Sequence, residues 1–306
     1  MASVGDVGSP GVVFRSFRAG DEAVFLTIMK ECFGSLELIP RVKLGLAGPF
    51  FNPEGSFVAE KNGAAVGCIG IVSLPRAYWF ELRYLGVTPD QPSLTVADKL
   101  LEMAMQFAAS KGAERLKAST PAVQTYIDLY RKKGFEPARR QLQVGWDLTK
   151  ERETPVSSVQ TKEFAEDMAA EARRVWVASL RPYWDWWIEE RGGPDSAGEW
   201  VEESVMDGDP WIGAFVDGRL VGTTLLWPNA YGEGEARFNG VYVLPEMRNK
   251  GTGRALMQAA IGKAKELGQK KMNVRTVAFL DHLAPGAALY LRCGGQVETE
   301  FLELYK

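Results

Sequence analysis

One segment, Val241-Tyr-Val-Leu-Pro-Glu-Met-Arg248-Asn249-Lys250-Gly251-Thr252-Gly253-Arg254, gathers three cations and two glycines into a short turn after an apolar run. Beyond it, Leu256, Ala260, Ala264 and Leu267 are spaced 4, 4 and 3 residues apart, which predicts a helix starting at the turn. Gly268 predicts its end. The first N–H groups of a helix have no intrahelical partner, and the positive end of the macrodipole lies behind them. Such a turn is an anion site. Gly251 and Gly253 let the backbone approach an oxygen closely, and Arg248, Lys250 and Arg254 add positive charge. A pyrophosphate is the guest that fits. The alternative is a plain glycine turn joining a strand to a helix. A Walker loop is excluded, because no Gly-x4-Gly-Lys-Ser/Thr is present. The dinucleotide pattern GxGxxG lacks its third glycine.

The elements that must hold this turn occur twice. Asn62-Gly63 with Val66-Gly67 matches Asp217-Gly218 with Val221-Gly222, an offset of 155 residues. Val87-x-Pro89 matches Val243-x-Pro245 at 156, and Leu129-Tyr130 with Gly134 matches Leu289-Tyr290 with Gly294 at 160. Three matches in one order predict a duplicated unit, with the join in the charged, polar stretch at 148–158. The expected division is 1–150 and 151–306. In each half, apolar runs flank an Asn-Gly or Asp-Gly pair, over 56–75 and 211–227, which predicts a β-hairpin. A further strand follows, at 82–87 and 238–244. The second half continues with the long helix, a strand over 272–279 and a short helix over 285–292. The expectation is an α+β (three-layer α/β) fold with a mixed sheet in each unit.

Composition narrows the function. At 306 residues, 46% hydrophobic and 25% charged, the chain has material for two folded cores. A net charge of −3 argues against nucleic acid as a partner. One histidine and three scattered cysteines (Cys32, Cys68, Cys293) leave no disulfide framework or metal site. The first residues lack a signal-peptide pattern, and no apolar run is long enough to span a membrane. The expectation is a cytoplasmic protein with no metal, no nucleic acid and no membrane partner.

Arg248-x-x-Gly251-x-Gly253, following a strand that ends Val-x-Pro, resembles motif A of the GNAT N-acetyltransferases, Gln/Arg-x-x-Gly-x-Gly/Ala. Ala288-Leu289-Tyr290-Leu-Arg-Cys-Gly294 resembles their motif B, and Leu129-Tyr130-Arg-Lys-Lys-Gly134-Phe135 in the first half matches it more cleanly. The pair of units is similar to mycothiol synthase and other two-unit bacterial acetyltransferases. Two positions depart from the pattern. Gly295 stands where the family often has Phe, and Leu283 replaces an Asn, leaving Asp281 or His282 for its polar role.

The resemblance implies two tandem units, each a mostly antiparallel mixed sheet flanked by helices. It also implies acetyl-CoA as cosubstrate and direct attack of an amine on its thioester. Val241, Val243, Arg248, Asn249, Lys250, Gly251, Thr252, Gly253 and Arg254 would then bind the cofactor, with the Val241 N–H as oxyanion donor. Tyr290 would be the acid that protonates the leaving thiolate. Glu233, Glu235 and His282 compete for the base, Glu235 ranking first. Either glutamate is also readable as a solvated strand edge, and Tyr290 as a packing aromatic. Trp176 and the run Tyr183-Trp184-Asp185-Trp186-Trp187 suit either acceptor binding or core packing.

Aligning the first half on motif A sets Pro92 opposite Arg248, Thr95 opposite Gly251 and Ala97 opposite Gly253, with Asp90 and Asp98 beside them. A missing N–H, β-branching at Thr95 and Val96, and negative charge all oppose a polyanion. The second half is therefore expected to bind acetyl-CoA and the first to be a degenerate scaffold. The leading expectation is N-acetylation of a small-molecule amine by a monomer or homodimer. Alternatives are a non-catalytic acyl-CoA-binding or regulatory protein, and a tRNA-dependent aminoacyl transferase, which needs no intact CoA loop.

Overall fold

Both expected hairpins form on left-handed turn pairs, Asn62 (φ 51°) with Gly63 (φ 80°) and Asp217 (φ 50°) with Gly218 (φ 76°). Two successive positive φ values match the twist of the flanking strands, and Asn, Asp and Gly tolerate them best. The computed structural model describes residues 11–36, 38–89, 93–150 and 159–306. The first ten residues, Asp90, Pro92 and residues 151–158 of the expected join lie outside the described residues.

In chain order, the first unit contains β1 (Val12–Ser16), α1 (Glu22–Phe33), α2 (Ile39–Leu46), β2 (Phe51–Lys61), β3 (Ala64–Ser73), β4 (Trp79–Val87), α3 (Ser93–Ser110), β5 (Arg115–Pro121) and α4 (Gln124–Lys132). Next come β6 (Glu136–Asp147), β7 (Gln160–Glu163), α5 (Ala169–Leu180), α6 (Asp185–Glu190), α7 (Pro194–Met206), β8 (Trp211–Val216), β9 (Arg219–Trp227) and β10 (Glu235–Val243). The chain closes with α8 (Thr252–Glu266), β11 (Lys271–Ala278), α9 (Pro285–Arg292) and β12 (Gln296–Tyr305).

The units are not divided at residue 150. One comprises the chain through Arg139 together with Thr299–Lys306, and the other runs from Arg140 to Glu298. The last strand of each sheet comes from the other half of the sequence. In unit 1, β1 to β4 pair antiparallel, β4 and β5 pair parallel, and β12 closes on β5 from Phe301↔Pro121 to Tyr305↔Lys117. In unit 2, β7 to β10 pair antiparallel, β10 and β11 pair parallel, and β6 closes on β11 from Arg140↔Ala278 to Asp147↔Lys271. Burial explains the exchange. Leu302 and Leu304 fill the core of unit 1, whereas Leu142, Val144 and Trp146 fill that of unit 2.

Helix α8 follows the expected spacing, with Leu256, Ala260 and Ala264 fully buried. Leu267 is the exception. It lies past the last helical turn and is 38% exposed. Gly268 (φ 72°) ends the helix as expected. Lys263 and Lys265 in the last turn complement the negative end of the dipole.

Candidate active site

The site in unit 2 begins with a parting of two strands. β10 and β11 pair only over Glu235–Arg237 against Lys271–Asn273. Beyond that point β10 stays on β9 and β11 stays on β6. The register of β10 shifts between Phe238 and Val241, where Gly240 takes φ 112°. A side chain there would be strained, and its Cβ would lie 3.0 Å from the Tyr290 hydroxyl. The Thr224 hydroxyl donates to the Gly240 carbonyl at 2.7 Å and pins the irregularity.

A cavity of about 610 Å³ opens at this parting. Of the residues expected to hold the cofactor, Val241, Val243, Arg248, Asn249, Gly251, Gly253 and Arg254 line it. Gly251 is the N-cap of α8, left-handed at φ 87° and without a side-chain cap, so the first N–H groups of the helix stay open. Nothing lies within 4 Å of where a Gly251 Cβ would stand. Lys250 is exposed and Thr252 is fully buried, its hydroxyl donating to the Met247 carbonyl at 3.3 Å; neither lines the cavity. The Arg248 side chain turns toward backbone carbonyls. Its Nη2 donates to Ser179 and Arg181, both at 2.8 Å, and its Nε to Val243 at 3.3 Å.

Tyr290 also lines the cavity, at 4% exposure. Its hydroxyl accepts the Val241 N–H at 2.9 Å, so the expected acid and the expected oxyanion donor meet at one point. Burial pushes the Tyr290 phenol up to about 12, an effect partly offset by the Val241 N–H. Phe238 and Trp146 back the ring edge-on, at 5.7 and 5.9 Å between centroids. Trp146 also explains Gly295. A Cβ there would stand 2.5 Å from Val144 and 2.8 Å from Trp146, so the tryptophan occupies the space of the family's phenylalanine.

The candidate bases are placed elsewhere. Glu235 stands at the start of β10, six residues or roughly 20 Å of strand from Val241, and accepts the Asn273 amide at 2.5 Å. Glu233 is exposed in the turn before it. His282 is exposed, paired with Asp281 at 2.7 Å and stacked on Phe279 at 4.6 Å. None of the three lines the cavity. Leu283, at the departing asparagine position, is 36% exposed and bridges to Ala278.

The aromatic run divides. Trp176 is 2% exposed and packs on Trp187, Trp200 and Tyr242, as core. Tyr183 and Trp184 line the cavity, together with Asn239, Arg275 and Arg292. Asn239, whose Nδ2 is buried without a partner, shares the β10 strand and Arg292 shares α9, so both were within reach of the motif reading. Arg275 had no such signal, because nothing in the sequence shows where β11 leaves β10. Among the described residues no group of three or more His, Cys, Asp or Glu side chains is arranged to hold a metal, and no helix is long and apolar enough to cross a membrane.

The profile of the acetyltransferase (GNAT) family matches residues 24–135 and again 162–294. Among solved structures, a GCN5-related N-acetyltransferase from Sphaerobacter thermophilus is similar at a TM-score of 0.76 and 17% identity, over 98% of this chain and 96% of that one. A tandem GNAT protein from the clavulanic acid biosynthesis pathway gives 0.67 and 15%, over 96% and 98%. The glucosamine N-acetyltransferase region of a fungal multi-domain β-N-acetylglucosaminidase gives 0.72 and 18% over 99% of this chain, which spans 39% of that protein. At these identities the likeness is one of fold. No curated protein matches the sequence. Two family matches that together take in most of the sequence, on two units of like topology, make the chain a member of the acetyltransferase (GNAT) family in its tandem form.

Proposed function

We propose that the chain is an acetyl-CoA-dependent N-acetyltransferase of small-molecule amines, with its active site in unit 2. The observation that carries this reading is the single cavity lined by the open N-terminus of α8, by the freed edge of β10 and by Tyr290. When bound, acetyl-CoA supplies an activated acyl thioester. The α8 N–H groups and Arg254 suit the diphosphate, and the gap between β10 and β11 suits the arm that leads to the sulfur. The Val241 N–H, which donates to the Tyr290 hydroxyl in the ligand-free chain, would turn to the oxygen on which negative charge develops. Tyr290 stays protonated at working pH and holds the proton that the departing sulfur requires.

Glu235 lies too far along β10 to touch the amine, so it receives the amine's proton through water. Asn273 holds its carboxylate for that role. A Glu235→Gln variant is expected to lose roughly 10-fold in kcat/KM. An unchanged kcat/KM removes Glu235 from the mechanism.

Unit 1 supports the choice of unit 2. Its groove of about 470 Å³, lined by α3 and α4, carries Asp98 and Asp128 against one cation, Lys132. Asp98 holds the repeat position of Arg254 and pairs with Lys133 at 2.9 Å. The test is thiol release from acetyl-CoA against a panel of amino sugars, amino acids and polyamines, with calorimetry of CoA. One CoA per chain and amine-dependent release are expected. Two equal sites, or no binding at millimolar CoA, would overturn the reading.

A further inference from the structure

Helix α5 ends without a glycine cap. Its last residue, Leu180, passes to an extended Arg181, and the carbonyls of the final turn lack intrahelical partners. One side chain meets the Ser179 carbonyl of that turn and the Arg181 carbonyl just past it. The Arg248 guanidinium, reaching out of the cofactor loop, donates from a single nitrogen to the Ser179 and Arg181 carbonyls, both at 2.8 Å. It also lies at the negative end of the α5 dipole, where a cation is favoured. Its Nε donates to Val243 at the end of β10. One residue therefore joins the loop, the cavity strand and the end of α5.

Beyond Pro182 come Tyr183 and Trp184, both lining the cavity. The Tyr183 ring sits 5.6 Å from the Arg248 Cζ. The Trp184 N–H returns to the Leu180 carbonyl at 2.9 Å, so the turn hangs from the part of α5 that Arg248 grips.

We propose that Arg248 is a positioning residue. Through the Ser179 and Arg181 carbonyls it sets the turn that carries Tyr183 and Trp184, so the loop that takes the diphosphate also fixes the wall that meets the acceptor. The acceptor half of this statement rests on the acetyltransferase reading, whereas the tie to α5 rests on the hydrogen bonds alone. Arg248 as a simple phosphate contact predicts something different. Its removal would then weaken CoA and leave the α5–α6 turn as it was.

Amide hydrogen exchange of residues 183–187 in the ligand-free full chain separates the two. Arg248→Met keeps an unbranched stem, two bonds short of the terminal guanidinium nitrogens, and removes every donor. It is expected to exchange about 10-fold faster there or more, with β11 unchanged. Arg248→Lys, whose ammonium can donate to both carbonyls, is expected to stay within about 3-fold of the parent chain. Calorimetry of CoA is expected to show Arg248→Met within about 5-fold of the parent Kd. Unchanged exchange in Arg248→Met overturns the proposal, and more so with a 10-fold loss of CoA affinity. Should Arg248→Met not fold, Arg248→Gln decides, because its amide is two bonds shorter. Protection at 183–187 equal to the parent chain then overturns the tie. If the parent chain itself ignores CoA, the acetyltransferase reading fails, while the exchange comparison still judges the role of Arg248.

Discussion

Tyr126 in unit 1 and Gly286 in unit 2 occupy the same place in the repeat, four residues before the motif tyrosine. Gly286 lines the cavity and leaves it open. Tyr126 fills the corresponding space. Its ring packs on Phe33 at 5.3 Å, and its hydroxyl accepts the Val87 N–H at 3.2 Å. The strands part in both units, since β4 and β5 pair only over Trp79–Leu82 against Arg115–Ala118. The parting alone therefore does not make a site. What differs is what enters it, a side chain in unit 1 and open space in unit 2. The motif tyrosines divide in the same way. Tyr290 meets a backbone N–H at a cavity, while Tyr130 is fully buried against Phe135 with its hydroxyl unpartnered. Backbone frames survive duplication more readily than the cavities they border.

The strongest way to break this comparison is the phosphate turn. Gly251→Val imposes a β-branched residue on φ 87° and is expected to weaken CoA by about 100-fold in calorimetry. Thr95→Val, the matching change in unit 1, is expected to leave CoA binding unchanged. A loss in both would mean that both units hold the cofactor.

The tyrosines come next. Tyr290→Phe is expected to lower kcat by about 100-fold, and Tyr130→Phe to leave it unaltered. On the role proposed for Tyr290, its protonated phenol is the active form. Because burial raises its pKa to about 12, activity limited by Tyr290 is retained through pH 10 and lost as pH rises toward 12. Its contribution to stability follows the same sign, complete below the ordinary phenol value of 10 and lost above it. A kcat profile against pH, with an ultraviolet difference titration of Tyr290→Phe, checks both.

Smaller effects sharpen the contrast. Tyr126→Phe leaves the Val87 N–H without its acceptor and is expected to cost about 1–2 kcal/mol in urea unfolding. Tyr130→Phe removes a buried hydroxyl that has no partner. It is expected to be neutral or stabilising by up to about 1 kcal/mol.

Local rules read much of this molecule correctly. The Asn62-Gly63 and Asp217-Gly218 turns, the face of α8 and the open turn at Gly251 all depend on residues close together in the sequence. Spacing alone was enough to expect them. What escaped the sequence depends on distant partners. Leu142, Val144 and Trp146 alternate as an inward-facing strand should, yet alternation does not say which core they enter. Gly295 departs from motif B because Trp146, nearly 150 residues earlier, stands where its side chain would go. The direction of Arg248 was hidden for the same reason. A cation in a glycine turn before a helix reads as a ligand for an anion, and the Ser179 and Arg181 carbonyls it meets are visible only in the fold.

The exchange of last strands bears on biosynthesis. A ribosome that has finished the first 150 residues has not yet made the strand that β5 requires, because Phe301–Tyr305 lie far downstream in the other half of the sequence. The sheet of unit 1 thus waits with an open edge until β12 emerges, and a message interrupted before it yields a product prone to edge-to-edge association.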